Sequence, residues 1–171
     1  MGATAYAQMK EEKPQSKNSR EVNYVLCVSN AITNTVGGNQ QWEVTVFQED
    51  SANAFALPGG KIGVHTGLLG VAKNQSQLAA VIGHEIGHVQ AQHSNERMSI
   101  QYATQTGTQL VAALAGGDSA EKQTLMGLLG VGAQYGVQLP FSRKHEAEAD
   151  VIGLDLMAEA GFDPRQSVNL W

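Results

Sequence analysis

From Glu21 to about Val36, apolar side chains return every three or four positions. Val22, Val25, Leu26, Ile32 and Val36 form a stripe that Ser29 and Thr33 complete, and Gly37-Gly38-Asn39 closes it. That period predicts a helix with a glycine stop. Trp42-Glu43-Val44-Thr45-Val46-Phe47 switches to alternation among β-branched and aromatic residues, as a strand does. Asn53–Ala56 and Lys61–Val64 then flank the turn residues Leu57-Pro58-Gly59-Gly60. A small antiparallel sheet follows from these segments. Beyond Thr66-Gly67-Leu68-Leu69 the helical period returns, over about Ser76–His93, Asn95–Leu114, Ala120–Val137 and Ser142–Ala160. The fold class is therefore α+β: a mainly helical domain with a small antiparallel sheet or hairpin ahead of the helix at Ser76.

The two ends read differently. Residues 1–20 are polar and lysine-rich and contain Pro14, so they read as a short helix or arm followed by a loop, ahead of a domain over 21–171. Asp163-Pro164 is a helix start, but only a few residues follow it, and the domain is expected to continue past Trp171.

Composition narrows the class. Forty-two per cent of the 171 residues are hydrophobic, enough for one packed core and too many for a disordered chain. Eleven Lys and Arg against sixteen Asp and Glu give a net charge of −5 without a basic stripe, which argues against a nucleic-acid partner. Leu125–Ala133 is apolar, but glutamines bracket it at well under the roughly 20 residues of a membrane span, so it reads as a core helix. The single cysteine, Cys27, excludes an internal disulfide, and its apolar neighbours make it a buried, inert thiol. The first residues carry neither a secretory signal nor a myristoylation site, so the chain is cytoplasmic or has lost a targeting segment.

The chemistry concentrates in Val81-Ile82-Gly83-His84-Glu85-Ile86-Gly87-His88-Val89. On a helix, His84 and His88 stand at i and i+4 on one face and can share a metal ion. Glu85 sits beside that face, within reach of a water on the metal, as a general base rather than a ligand. Gly83 and Gly87 each cost roughly 1 kcal/mol relative to Ala inside a helix, so close packing or substrate access must offset them.

A catalytic zinc ion takes three protein ligands and a water. His93 comes five residues after His88 and, on a continuing helix, faces away from it; Cys27 lies far upstream in an apolar helix. Arg143-Lys144-His145-Glu146-Ala147-Glu148-Ala149-Asp150 remains. There Glu146 is the third ligand, and Asp150, one turn on, takes the free ring N–H of a bound histidine and fixes its tautomer. Glu148 is rotated about 200° from Glu146 and lies off that face. His145 reads as a solvent-facing neighbour, and His65 as a surface or loop histidine.

In this order and spacing the segments Asn53–Ala56, Thr66-Gly67-Leu68-Leu69, His84–His88, Phe141-Ser142-Arg143 and Glu146–Asp150 resemble the gluzincin metallopeptidases. The likeness is to those related to the HtpX protease and the CAAX prenyl endopeptidases, and within them to bacterial envelope metalloproteases of the LoiP/YggG type. The resemblance implies one Zn2+ ion on His84, His88 and Glu146, with Glu85 activating water and Asp150 in support. It also implies a protein or peptide substrate, a periplasmic or envelope location, and a membrane anchor or signal upstream of this chain. Family members continue into further helices with a His-Pro segment. The rival reading keeps the zinc without catalysis, as a metal-stabilised binding or chaperone-like module; Glu85 argues against it, since a structural site has no use for a base there.

Overall fold

The computed structural model describes residues 2–114, 127, 128, 130 and 139–170. Two compact units emerge: Met1–Ala91 with Glu148–Trp171, and Gln92–Ala147.

In the first unit, α1 (Gly2–Glu12) and α2 (Ser19–Thr33) precede three strands, β1 (Glu43–Phe47), β2 (Ala54–Leu57) and β3 (Lys61–His65). A short α3 (Thr66–Val71) leads into α4 (Gln75–Gln90). The unit is completed by the C-terminal part of α6 (Leu139–Glu159) and a 3-10 helix, Pro164–Ser167. The second unit holds α5 (His93–Leu114) and the first turns of α6.

α2 begins where Asn18 accepts a hydrogen bond from the Arg20 amide, and it buries Val25, Val28, Ser29, Ile32 and Thr33, the face its period predicts. Cys27 lies about 100° off Val28 on this helix and is exposed, so the expected buried thiol is corrected: the apolar neighbours in sequence are not its neighbours on the buried face.

The hairpin of β2 and β3 is antiparallel, as the turn residues predict, with Gly59 and Gly60 at φ 94° and 75° closing it. β1, however, joins the other edge of β3 in parallel, from Glu43 opposite Lys61 to Phe47 opposite His65, so the sheet is mixed with order β1-β3-β2. The connection between β1 and β2 reverses the chain and carries it past the place β3 later fills. It is held by Glu49, whose carbonyl accepts from Thr66 Oγ1 and the Gly67 amide. Alternation identifies a strand but carries no information about its partner's direction.

The core joins Val28 and Ile32 of α2, Val46, Ile62 and Val64 of the sheet, Leu78, Ile82 and Ile86 of α4, and Met157 of α6. Each such side chain contributes about 1.5–3 kcal/mol on burial. α4 opens at Asn74, whose side chain accepts from the Gln77 amide, and ends at Gln90, three residues short of the predicted His93. Gln92, at φ 56°, breaks the helix there. The helix predicted over Ala120–Val137, with its apolar Leu125–Ala133, falls outside the described residues except at 127, 128 and 130. Among the described residues no helix is long and apolar enough to cross a membrane. Asp163 caps as predicted, accepting from the Arg165 amide, and the element it starts is the 3-10 turn.

Candidate metal centre

Because Leu78, Ala79, Ile82 and Ile86 are turned fully into the core, the rotation of α4 is fixed. His84, Glu85 and His88 are left half-buried along its flank. The two rings stand at 87° with centroids 4.7 Å apart, and their Nε2 atoms approach to 3.1 Å. On its other side His84 donates from Nδ1 to Asp150 Oδ1 at 2.8 Å. That bond assigns the ring proton to Nδ1 and makes Nε2 a lone-pair donor aimed at its counterpart on His88. Two nitrogens bound to one tetrahedral zinc at about 2.0–2.1 Å stand roughly 3.3 Å from each other. The observed spacing is within a few tenths of an ångström of that, so the pair fits such an ion.

The approach of α6 to α4 explains the helical glycines. A Cβ on Gly83 would meet the Gly153 carbonyl oxygen at 2.8 Å, one on Gly87 would meet that of Ala149 at 2.8 Å, and one on Gly153 would lie 2.6 Å from the His84 amide nitrogen. Of the two offsets the sequence allows, close packing is present, and it is what brings Asp150 within reach of His84. Beside this pair opens a cavity of about 160 Å³ whose lining includes Ala80, Leu154, Met157 and Val168.

In the second unit Glu146 is exposed, and its Oε1 accepts from Arg97 Nη2 at 3.0 Å. On α6 it stands four residues before Asp150. Glu148 is exposed. His145 is not solvent-facing: it is 1% accessible, bonds through Nε2 to Glu96 Oε2 at 2.8 Å, and stacks on His93 at 4.1 Å between centroids. The 100° step from Glu146 was right, but it turns His145 inward rather than outward. His93, placed by the sequence on a continuing α4, instead opens α5 and is buried.

His65 is likewise corrected. It is 5% accessible, edge-on to Phe47 and Phe55, with Nδ1 2.7 Å from Ser51 Oγ. Burial pushes its pKa below the ordinary histidine value, against the opposing pull of Glu49. No spacing rule could have signalled this, since its cage comes from three separate segments.

An α+β domain with a His-Glu-x-x-His helix, paired imidazoles and a carboxylate behind one of them has the build of a metal-dependent peptidase. The chain belongs to Peptidase family M48, which it matches over residues 19–171. Mitochondrial metalloendopeptidase OMA1 of Schizosaccharomyces pombe is 40% identical over 131 residues, 77% of this chain and 37% of that protein. Metalloprotease LoiP of Escherichia coli is 34% identical over 148 residues, covering 86% and 56%, and the beta-barrel assembly-enhancing protease of Yersinia pestis 29% over 174 residues, covering 99% and 36%. The chain thus spans between about a third and just over half the length of these relatives.

Proposed function

We propose that this chain is the catalytic domain of a zinc-dependent endopeptidase, with the ion on His84, His88 and Glu146, Glu85 as general base, and Asp150 orienting His84. The observation that carries the reading is the 3.1 Å approach of the two Nε2 atoms with Asp150 on the far nitrogen of His84. Glu146 enters by position: it stands one turn before Asp150 on the same helix. Zinc, when bound, supplies Lewis-acid polarisation of the scissile carbonyl and lowers the pKa of water towards about 7. Glu85 takes the proton of the attacking water and hands it to the leaving amine. Asp150, by accepting the proton on Nδ1, leaves Nε2 as the nitrogen of His84 that offers a lone pair to the ion.

A protein or peptide substrate would lie extended along a sheet edge. Lys61–His65 is the central strand with both sides paired, so β2, near Asn53–Ala56, is the edge that can add one. The envelope resemblance and relatives from Escherichia coli and Yersinia support a role in bacterial envelope protein quality control, while the mitochondrial relatives widen the range of compartments.

The test is Glu85→Gln against unfolded casein and a labelled peptide, with zinc content measured in parallel. Wild type should cleave; the variant should keep one zinc and lose at least about a hundredfold in rate. Equal cleavage by both removes Glu85 as the base. Zinc without cleavage in wild type, even in a longer chain, favours the binding-module reading.

A further inference from the structure

Two successive residues of α5 hold two successive residues of α6. Glu96 accepts from His145 at 2.8 Å, and Arg97 Nη2 donates to Glu146 Oε1 at 3.0 Å. His145 is buried and stacked on His93, which fixes the rotation of this part of α6. We infer that Arg97 is a positioning residue for the metal-binding carboxylate: its hydrogen bond to Oε1 restricts the rotamers that Glu146 samples. The inference rests on the reading of Glu146 as a zinc ligand.

Two effects oppose each other here. The guanidinium repels a divalent cation, and its hydrogen bond pre-orders a ligand that would otherwise sample several rotamers. Both partners are 49% accessible, so water and salt screen the repulsion. Hydrogen bonds to a ligating group ordinarily raise metal affinity about 10–100-fold. Ordering therefore wins. The same exposure makes the pair nearly worthless to the fold, because a solvated ion pair contributes little to stability. An arginine that matters to zinc and not to folding is what the geometry predicts.

The experiment compares wild type, Arg97→Ala, Arg97→Lys and Glu146→Ala as full chains. It reads zinc affinity by competition with a chromophoric chelator and the melting temperature of the zinc-free proteins. Arg97→Ala should bind zinc at least about tenfold more weakly, with a zinc-free melting point within about 2 °C of wild type. Arg97→Lys, able to make one bond to Oε1, should recover most of the affinity. Glu146→Ala should lose stoichiometric zinc. Affinity in Arg97→Ala equal to or tighter than wild type overturns the inference while leaving Glu146 as ligand. So does a loss matched by a fall in the zinc-free melting point, or a lysine variant as weak as alanine. Full zinc binding by Glu146→Ala overturns the ligand reading itself.

Discussion

At His65 an imidazole is enclosed by two phenyl rings and a single hydroxyl, and this arrangement has a pH consequence. Burial holds its pKa below the ordinary value of 6.5; Glu49, 3.9 Å from Nδ1, pulls it back up, and Lys13, which pairs with Glu49, pushes it down again. Below about pH 6.5 the unfolded chain takes up a proton that the folded chain refuses, so stability present above that pH is lost as pH falls towards the folded pKa. In chelator-treated protein, the urea midpoint of wild type should therefore drop more between about pH 7.5 and 5.5 than that of His65→Gln. Equal drops would remove His65 as the source. At this scale the sequence spoke unevenly. His84 and His88 stand together through an i, i+4 relation that spacing reveals, whereas the contact of Asp150 with His84 is made by the close packing of two helices. The burial of His65 and His145 and the exposure of Cys27 depend on which face of an element meets a neighbour, and a single residue's local context does not carry that.

Between elements, the contact of α4 with α6 turns on backbone atoms. Gly153→Ala adds a Cβ 2.6 Å from the His84 nitrogen and 2.8 Å from the Gly83 carbonyl carbon. The helix gains about 1 kcal/mol from losing a glycine, but main-chain atoms cannot step aside as a side-chain end can, and overpacking costs about 1–3 kcal/mol. The net should be destabilising, and α4 carries both histidines, so zinc affinity should weaken with it. Gly70→Ala in α3, where nothing lies within 4 Å of the added carbon, should instead be neutral or stabilising by up to about 1 kcal/mol. Thermal melts of the two variants decide the matter, and the same sign in both would refute the packing argument. The glycines inside a helical period were visible in the sequence as an unpaid local cost, and the partner that explains them was not. The helices themselves were readable because period 3.6 is a local property. The parallel docking of β1 was not, because strand direction is set by the path of a loop.

Across the whole molecule, the segment before residue 19 lies outside the family match and yet belongs to the first unit. α1 sends Tyr6, 2% accessible, into the sheet, where its hydroxyl donates to the Ile62 carbonyl at 3.0 Å and lies 2.6 Å from Thr45 Oγ1. The chain then runs beside β1: Gln15 bridges Phe47, the Ser16 amide donates to the Val46 carbonyl, and the Gln48 amide donates to that of Pro14. The outer edge of β1 would otherwise offer unpaired N–H and C=O groups to another chain. The polar composition of residues 1–20 suggested a short helix or arm and a loop; what matters is one tyrosine and one bridge of two backbone hydrogen bonds, neither of which composition registers. Removing residues 1–18 should therefore do two things. It should lower stability by about 3–5 kcal/mol, as losing a buried aromatic does, and it should open an edge that self-associates. Tyr6→Phe, which keeps the ring and loses the hydroxyl, should cost only about 1–2 kcal/mol and leave the protein monodisperse, since residues 14–16 still cover β1. Urea unfolding with light scattering separates the two effects. A truncated chain as stable and as monodisperse as the full one would show that the segment merely lies on the domain.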